Sequence, residues 1–404
     1  MDLFVGNVQV RILLVHNRYQ LSGGEDAVLE AESDLLVSQG NSIEIAETNN
    51  VEISGLITKV AAALDLVYSR LAVKQIGDRI LSFRPEVIHI HNFFPLLTPS
   101  IYDACIEAGV PVVQTLHNYR SICPGALFMR EGRICEKCVT YSPFYAVLHR
   151  CYRNSIPGSL AVARMVNYHR KRKTWQIKVD RFIALTEFAK RKFVEAGFPE
   201  GKIVVKPNFY FEAGKSLKEK GERKNTALFV GRLSQEKGVG TLLSAWLGLD
   251  VPLRIAGDGP LLESVKTINT AYVSLLGQLT PDQVSEEMSR SAFLVMPSEC
   301  YEGFPMVLAE AFAHELPVVA SRLGGMAEIV EDGVTGLHFE AGNAHDLVEK
   351  VRWMQEHPIA CRQMGEKARR AYETKYTPGK NYEMLLEIYR QAIEEKRKVN
   401  GLRF

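Results

Sequence analysis

The sequence lacks any apolar run as long as the roughly 18 to 20 residues that span a bilayer. Its first residues, Met1 to Gly6, also lack the basic flank of a secretory signal, so we expect a cytoplasmic protein. Low-complexity tracts and linkers rich in proline or in glycine and serine are absent, while 46% of the residues are hydrophobic and 24% are charged. This composition excludes a disordered or fibrous chain.

A large net charge and a dinucleotide-binding fingerprint are also missing. The 49 lysines and arginines nearly balance the 47 aspartates and glutamates, and a net charge of +2 gives no overall case for nucleic-acid binding. Gly23-Gly24 and Gly257-Asp258-Gly259 follow predicted strands, but neither is followed by the third glycine of a dinucleotide-binding loop. A nicotinamide-dependent oxidoreductase is therefore disfavoured.

The hydrophobic pattern predicts an α/β protein. Short apolar, β-branched runs alternate with amphipathic segments such as 26–38 and 56–83, as in parallel sheets with crossover helices. The predicted strands are 8–15, 42–47, 87–91, 111–116, 181–185, 226–230, 253–256, 273–276, 292–296 and 317–320.

The length and one polar segment predict two domains. The 404 residues allow two to three domains of about 150 residues, and residues 212–221 are charged and lack apolar periodicity, as expected of a boundary. We expect a Rossmann-like domain over 1–210 with a cysteine-bearing insertion at about 120–153, and a second such domain over 211–380. A final helix over 381–404 is expected to pack back on the N-terminal domain.

Two loops in the second half combine charged side chains with predicted helix N-termini. Arg232 and Lys237 lie five residues apart after a strand, which suits an anion with several oxygens such as a diphosphate. Glu302 and Glu310 flank a helix start predicted at Pro305, and carboxylates so placed accept hydrogen bonds from sugar hydroxyls. The alternatives are a solvated basic loop and solvated helix carboxylates.

Backbone groups at two loops are further candidates. If Pro305 is the first helical residue, the N–H groups of Met306 and Val307 point out of the helix toward an anion. In the first half, Gly23-Gly24 allows the backbone to approach a ligand closely, the alternative being a flexible turn.

Six motifs occur in one order along the chain. They are Gly23-Gly24, Val87-Ile88-His89-Ile90-His91, Thr115-Leu116-His117, Gly231-Arg232 with Lys237-Gly238, Gly257-Asp258-Gly259-Pro260, and Glu302-Gly303-Phe304-Pro305 through Glu310. In this order they resemble the large GT4 family of retaining glycosyltransferases, whose Glu-x7-Glu signature the last motif matches. The resemblance covers most of the chain and implies the GT-B fold, in which two Rossmann-like, doubly wound domains face a central cleft.

The resemblance implies a role for each matching residue. Arg232 and Lys237 would hold the diphosphate of the donor, Glu302 would bind hydroxyls of the transferred sugar, and Glu310 would hold the ribose. His117 would lie near the transferred sugar. The implied catalytic residues are Arg232, Lys237, Glu302 and His117. The remaining implied donor-binding residues are Gly24, Gly257, Gly303, Phe304, Met306 and Val307.

The activity implied by the resemblance is that of a nucleotide-sugar-dependent hexosyltransferase acting with retention on a glycan or lipid-linked acceptor, in bacterial surface polysaccharide synthesis. No cofactor is expected for catalysis, because the chain has no Asp-x-Asp pair of the kind that binds metal in other nucleotide-sugar enzymes. The alternative is a catalytically silent binding or scaffold protein on the same fold. The sequence departs from the family at two places. Pro305 has no backbone N–H to donate, and Pro207-Asn208-Phe209-Tyr210 replaces the Pro-Asn-Gly that is usual before the second domain.

Four of the seven cysteines fall within one insertion. Cys123, Cys135, Cys138 and Cys151 include one Cys-x-x-Cys pair, and four thiolates are able to close a tetrahedral zinc site. The alternatives are reduced thiols or a redox-sensitive loop, since a cytosolic compartment disfavours disulfides.

A basic segment follows the insertion. Between Cys151 and Lys206, thirteen lysines and arginines stand against four acidic residues, and His169-Arg170-Lys171-Arg172-Lys173 precedes Trp175. Cations beside an aromatic anchor favour anionic lipid headgroups, so we expect peripheral contact with the cytoplasmic membrane face. The alternative is a solvated helix face.

Overall fold

The computed structural model describes residues 9–19, 23–50, 55–212, 223–268, 270–399 and 401. By their contacts, these residues form two compact units. The first unit contains the described residues up to Ala126, then Glu136–Lys206 and the residues from Asn381 onward. The second unit contains Leu127–Cys135 and Pro207–Lys380. Most of the boundary segment predicted from its polarity, residues 213–221, lies outside the described residues.

The first half of the chain contributes eight strands. They are β1 (Arg11–Arg18), β2 (Ser42–Asn49), β3 (Val87–Ile90), β4 (Val112–Thr115), β5 (Met129–Arg130), β6 (Arg133–Ile134), β7 (Arg181–Ala184) and β8 (Ile203–Val205). Six of them form a parallel sheet in the order β2-β1-β3-β4-β7-β8, whereas β5 and β6 form an antiparallel hairpin that groups with the second unit.

The first half of the chain also contributes nine α-helices among the described residues. They are α1 (Gly24–Ser38), α2 (Leu56–Asp65), α3 (Arg70–Phe83), α4 (Ile101–Glu107), α5 (Lys137–Thr140), α6 (Tyr145–Leu148), α7 (Ile156–Lys171), α8 (Thr174–Lys178) and α9 (Glu187–Glu195). The amphipathic segment predicted over 56–83 forms two helices, α2 and α3. It is divided before α3 because the Ser69 hydroxyl accepts the N–H of Ala72 and caps a new helix.

The second unit repeats this architecture. Its strands are β9 (Ala227–Val230), β10 (Leu253–Ala256), β11 (Val273–Gly277), β12 (Phe293–Met296), β13 (Val318–Ser321) and β14 (Gly336–Phe339). All pairings are parallel, in the order β11-β10-β9-β12-β13-β14. Its helices are α10 (Val239–Trp246), α11 (Leu262–Lys266), α12 (Pro281–Arg290), α13 (Met306–Ala313), α14 (Met326–Ile329), α15 (Ala344–Glu356) and α16 (Pro358–Lys375).

Both sheets are buried on their central strands, as their sequences predict. Every residue of β12 and β13 is buried, because helices cover both faces of a parallel sheet. The prediction of two doubly wound α/β units is thereby confirmed.

The last helix, α17 (Pro378–Val399), crosses from one unit to the other in sequence, since its residues from Asn381 onward belong to the first unit. Leu385, Ile388 and Tyr389 are buried there, and the Asn381 side-chain oxygen accepts from the Lys206 ammonium at 3.1 Å. Of the helices in the described ranges, none is both long and apolar enough to cross a membrane.

Candidate active site

In each sheet the strand order reverses at one point. The reversal lies between β1 and β3 in the first sheet and between β9 and β12 in the second. Ligands of parallel α/β folds bind outside the carboxyl ends of the strands at such a point. The loops that follow these strands are therefore the first place to look for a site in each unit.

In the second unit, glycines bring the loops after β9 and β10 into direct backbone contact. Gly257 has a φ of +147°, and a Cβ on it would lie 1.9 Å from the Gly231 carbonyl oxygen. The N–H of Leu233 donates to the Asp258 carbonyl oxygen at 2.9 Å. Only glycine fits at position 257. The packing of the two loops therefore explains the glycine at this predicted donor-binding position.

Lys237 is held at the site by a carboxylate from the neighbouring loop. Its ammonium lies 2.7 Å from Glu302 Oε1, which also accepts from the Ser298 hydroxyl at 2.8 Å. Burial acts to lower the pKa of Lys237, but the charge and hydrogen bond of Glu302 outweigh it and raise the pKa. Lys237 is therefore a fixed positive charge at neutral pH.

Gly238 fixes the position of Lys237. It has a φ of +69° at the start of α10, and a Cβ on it would lie 1.8 Å from the Pro297 carbonyl oxygen. This close approach joins the loop after β9 to the loop after β12, the two that carry Lys237 and Glu302.

Arg232 differs from Lys237 in having no acceptor. Its side chain is exposed, and no carboxylate or carbonyl among the described residues accepts from its guanidinium. An exposed guanidinium without a partner is available to an anionic ligand with several oxygens.

The N-terminus of α13 presents unused donors. Pro305 is the N-cap of α13 rather than its first helical residue as predicted, and the helix begins at Met306. The N–H groups of Met306 and Val307 donate to no acceptor among the described residues. Phe304 is buried against Tyr376 at 5.6 Å between ring centroids, and Gly303 lies in the loop before it.

Glu310 lies one turn into α13 and is half-buried without a cation or hydrogen-bond donor among the described residues. Burial raises the pKa of its carboxyl group from 4.5 to about 7. Burial, with Glu310 as the next cause, also raises the pKa of the Tyr210 hydroxyl to about 12. An unsatisfied carboxylate of this kind is a ready acceptor for ligand hydroxyls.

In the first unit, the loop after β1 is anchored by Asp26. Its Oδ1 lies 2.7 Å from Nε2 of the buried His16, and its Oδ2 accepts from the Gly23 N–H at 2.8 Å. Gly24 follows as the first residue of α1 and is exposed, and no atom of the described residues lies within 4 Å of the place of a Cβ. The Gly24 backbone is therefore open to a ligand.

Glu25 and Asn118 are candidate site residues that the sequence analysis did not identify. The Asn118 amide donates to Glu25 Oε1 at 2.5 Å, while Glu25 Oε2 is buried and has no partner among the described residues. Burial raises the pKa of Glu25 to about 7. Their place in the sequence could have identified them, because Glu25 directly follows Gly24 and Asn118 directly follows His117.

His117 lies just beyond the end of β4. Its Nε2 is 3.1 Å from Nδ1 of His91, which follows β3, and the two rings are stacked. Burial, with contributions from His16 and Lys206, lowers the pKa of His117 to about 3. The imidazole is therefore neutral at physiological pH.

The four cysteines of the predicted zinc site are divided between the two units: Cys123, Cys138 and Cys151 belong to the first and Cys135 to the second. Among the described residues, no three of their sulfurs lie within 4.8 Å of one another, so the structure does not assemble the predicted zinc site. All seven cysteines of the chain lie among the described residues, and none forms a disulfide.

The expected aromatic membrane anchor is wrong. Trp175 is 2% exposed and stacks on Phe198 in the core of the first unit, and His169 is also buried. The cations on and just after α7 are exposed, namely Arg164, Arg170, Lys171, Arg172 and Lys173.

Two family models match consecutive parts of the chain. The one described as Glycosyltransferase Family 4 matches residues 59–210, and the one described as Glycosyl transferases group 1 matches residues 212–371. Together they cover about three quarters of the sequence.

Three curated relatives span different shares of the chain. An uncharacterized glycosyltransferase of Methanocaldococcus jannaschii is 30% identical over 60% of this chain and 65% of its own length. The alpha-D-kanosaminyltransferase of Streptomyces kanamyceticus is 24% identical over 74% of each chain. The lipopolysaccharide 1,2-N-acetylglucosaminetransferase of Salmonella typhimurium is 29% identical over 42% of this chain and 51% of its own length.

Solved structures share the fold over nearly the whole chain. Anabaena HepE in complex with UDP and glucose aligns with a TM-score of 0.65 and 18% identity, covering 94% of this chain and 99% of HepE. The sucrose-phosphate synthase of Thermosynechococcus elongatus aligns with a TM-score of 0.70 and 16% identity, covering 96% and 100%. The fold is GT-B.

Proposed function

Because the chain belongs to the GT4-type glycosyltransferases, we propose that it transfers a sugar from a nucleoside-diphosphate sugar to a glycan or lipid-linked acceptor with retention at the anomeric carbon. The observation that carries this proposal is the charge arrangement at the strand ends of the second unit. Lys237 is fixed by Glu302, whereas Arg232 has no acceptor of its own among the described residues. A diphosphate supplies the oxygens that such a pair of cations binds.

Each remaining donor group has a matching chemical feature. The free N–H groups at the start of α13 are suited to phosphate oxygens. The Glu310 carboxylate, which no described residue hydrogen-bonds, is suited to the two hydroxyls of a ribose. Glu302 is suited to hydroxyls of the transferred sugar, next to the lysine that holds the diphosphate.

In the proposed reaction, the bond between the anomeric carbon and the diphosphate oxygen breaks, and a bond to the acceptor oxygen forms on the same face of the sugar. The diphosphate leaves with the bonding electrons, and the acceptor hydroxyl loses its proton to the leaving group. Arg232 and Lys237 stabilise the negative charge that develops on the diphosphate, which is where electrostatic stabilisation lowers the barrier. His117, neutral and partly exposed in the first unit, is proposed to contact the transferred sugar.

The relatives support a substrate class. HepE is described in complex with UDP and glucose, and one curated relative is named for N-acetylglucosamine transfer to lipopolysaccharide. We therefore propose a uridine-linked hexose as the first donor to test and a bacterial surface glycan or its lipid-linked precursor as the acceptor.

The first experiment is calorimetric binding of UDP, GDP and ADP to the full chain. We expect one nucleotide to bind, and Arg232→Ala to weaken its affinity. Lys266→Ala is the matched control, because Lys266 is an exposed lysine of the same unit paired only with Glu263. No binding of any nucleotide diphosphate would contradict the donor site.

The second experiment measures transfer from the matching nucleotide sugar. Lys237→Ala is expected to lower the rate by roughly 10²- to 10³-fold, as for loss of one group that stabilises a developing charge. The anomeric proton coupling of the product distinguishes retention from inversion. Donor binding without transfer to any acceptor would instead favour the silent scaffold protein.

We also propose that the first unit binds the cytoplasmic face of an anionic membrane. Large apolar side chains are exposed along α6, α7 and the segment before them, namely Tyr141, Phe144, Leu148, Ile156 and Leu160. Further along α7, a surface pocket of about 380 Å³ is lined in part by Arg164, Lys171 and Arg172. Apolar side chains beside a cationic pocket suit an anionic phospholipid surface.

Sedimentation with liposomes tests this surface. We expect the chain to sediment with phosphatidylglycerol vesicles and not with phosphatidylcholine vesicles, and Leu148→Ser to weaken sedimentation. Leu247→Ser is the matched control, because Leu247 is similarly exposed but lies in the second unit. Equal sedimentation with both lipids would overturn the electrostatic part of the proposal.

A further inference from the structure

A buried ionic cluster lies next to His91 in the first unit. Glu32 on α1, His89 in β3 and His91 after it are each no more than 2% exposed, as is Lys206. The Lys206 ammonium donates to Glu32 Oε2 at 3.0 Å and to the Asn381 side-chain oxygen. A lysine and a carboxylate buried together keep opposite charges, because removing either leaves an uncompensated charge.

One atom each of Glu32, His89 and His91 lie within 4.8 Å of one another, a spacing that a metal ion is able to use. A divalent cation there would add two positive charges beside the Lys206 ammonium, with only the Glu32 carboxylate to balance them. The charge balance therefore disfavours a metal ion at this cluster. The hydrogen bonds of the cluster instead determine which ring nitrogens of its histidines are protonated.

The proton on His91 follows from the atoms that face it. Glu32 Oε1 and His91 Nε2 are both buried, lack a hydrogen-bond partner among the described residues, and lie 3.6 Å apart. His89 Nδ1 also lies 3.3 Å from Glu32 Oε1, but it is hydrogen-bonded to the Tyr389 hydroxyl at 2.7 Å. An ionised carboxylate only accepts, so the nitrogen that faces it carries the proton. Burial, with His89 beside it, lowers the pKa of His91 well below its usual value, so the ring holds a single proton. His91 Nδ1 is then left with a lone pair.

That lone pair determines the tautomer of His117. His91 Nδ1 lies 3.1 Å from His117 Nε2, so a hydrogen bond between them requires the proton to be on His117 Nε2. The other nitrogen, His117 Nδ1, has no partner among the described residues, and the side chain is partly exposed.

The geometry points to Glu32 and His91 as positioning residues that hold His117 in the Nε2–H tautomer and leave its Nδ1 as a hydrogen-bond acceptor. Its catalytic meaning rests on the proposed function, in which His117 contacts the transferred sugar. An unprotonated Nδ1 recognises a group that donates a hydrogen bond, such as a sugar hydroxyl. It discriminates against a sugar that lacks a hydroxyl at that position or carries an ether there, because the acceptor is then left unpaired.

Long-range proton–nitrogen correlation spectra of the full chain, labelled with ¹⁵N in its histidines, measure the tautomer directly. His117→Gln assigns the His117 signals by their loss. We expect His117 to show a protonated Nε2 and an unprotonated Nδ1 without any ligand. A protonated Nδ1, or rapid exchange between the two tautomers, would overturn the inference.

Two substitutions of His91 separate positioning from packing. In His91→Asn the side-chain oxygen is able to replace the Nδ1 acceptor, so the His117 tautomer is expected to persist, whereas His91→Leu has no acceptor and is expected to lose it. Both variants keep a side chain at the position, so loss of the tautomer in both, with the fold intact by circular dichroism, would contradict the proposed hydrogen bond.

The same pair gives a kinetic readout. If the chain is a glycosyltransferase as proposed, His91→Leu is expected to lower kcat by roughly 10- to 100-fold, the range set by a misoriented group, with nucleotide affinity unchanged because the nucleotide site is in the second unit. His91→Asn is expected to recover part of that loss. Absence of any transfer activity would refute the proposed function and leave the spectroscopic result standing.

Discussion

Replacing Glu310 by glutamine is expected to stabilise the free protein while weakening its nucleotide site. Burial without a donor raises the pKa of Glu310 from 4.5 to about 7. The folded protein therefore binds more protons than the unfolded chain between these two pH values, and its stability falls as the pH rises through that window. The gap between the two pKa values corresponds to a penalty of about 3 kcal/mol above pH 8.

Glutamine has the shape of a protonated glutamate and carries no charge at any pH. The free energy of unfolding of Glu310→Gln is therefore expected to exceed that of the wild type by up to about 3 kcal/mol at pH 8. At pH 5 the difference is expected to be under about 1 kcal/mol. Urea unfolding followed by tryptophan fluorescence suits this test, because Trp246 and Trp353 lie in the same unit as Glu310.

Glu366→Gln is the matched control, because Glu366 is exposed on α16 of the same unit and has no ionic partner among the described residues. Its effect on stability is expected to be small and equal at both pH values. A stability difference for Glu310→Gln that is the same at pH 5 and pH 8 would refute the reasoning, since it would show that Glu310 titrates alike in the folded and unfolded states. Binding of the matching nucleotide diphosphate is expected to weaken in Glu310→Gln at pH 8.

Two further changes test the packing that holds the sites together. Gly257→Ala is expected to cost several kcal/mol, about 3 or more, because its Cβ would overlap the Gly231 carbonyl oxygen, whereas Gly240→Ala, in open space on α10, is expected to be neutral or to stabilise by up to about 1 kcal/mol. Both are measured by urea unfolding, and equal effects would contradict the steric argument. Lys206→Met is expected to cost about 3 to 5 kcal/mol by leaving a buried carboxylate unpaired, against under about 1 kcal/mol for Lys266→Ala at an exposed pair. Similar losses for the two lysine variants in thermal unfolding would argue against a buried ion pair.

Much of the second unit was predictable because its signals are local. The predicted strand 253–256 is the observed β10, and the motif from Glu302 to Glu310 contains a helix start visible from Pro305. Edge strands were missed for physical reasons. Strand β8 has only three residues. Strand β14 begins with Gly336, and glycine has low strand propensity. Only glycine fits at that position, because a Cβ there would lie 1.9 Å from the Val318 carbonyl oxygen.

The first unit was harder to predict because its polar groups meet across long stretches of chain. Glu32 and Lys206 are 174 residues apart, and His89 meets Tyr389 across 300 residues. In the sequence, Glu32 is one more acidic residue on an amphipathic helix, and only the folded structure buries it. Trp175 shows the opposite error, since an aromatic residue beside a run of cations resembles a membrane anchor but completes a buried aromatic cluster.

The two units place different kinds of polar group at the ends of their strands, and the proposed function gives these groups different ligands. The second offers a lysine, an exposed arginine and free helix N–H groups, which together suit a ligand that carries phosphate charge. The first offers the neutral imidazole of His117 and the amide of Asn118 near an open glycine backbone at Gly24. The Glu25 carboxyl, which accepts from Asn118, lies there as well, and burial raises its pKa to about 7. Donors and acceptors of this kind suit hydroxyl groups. Under the proposed function, substitutions of Arg232 and Lys237 in the second unit are expected to affect nucleotide affinity, and substitutions of His117 in the first unit are expected to affect sugar specificity.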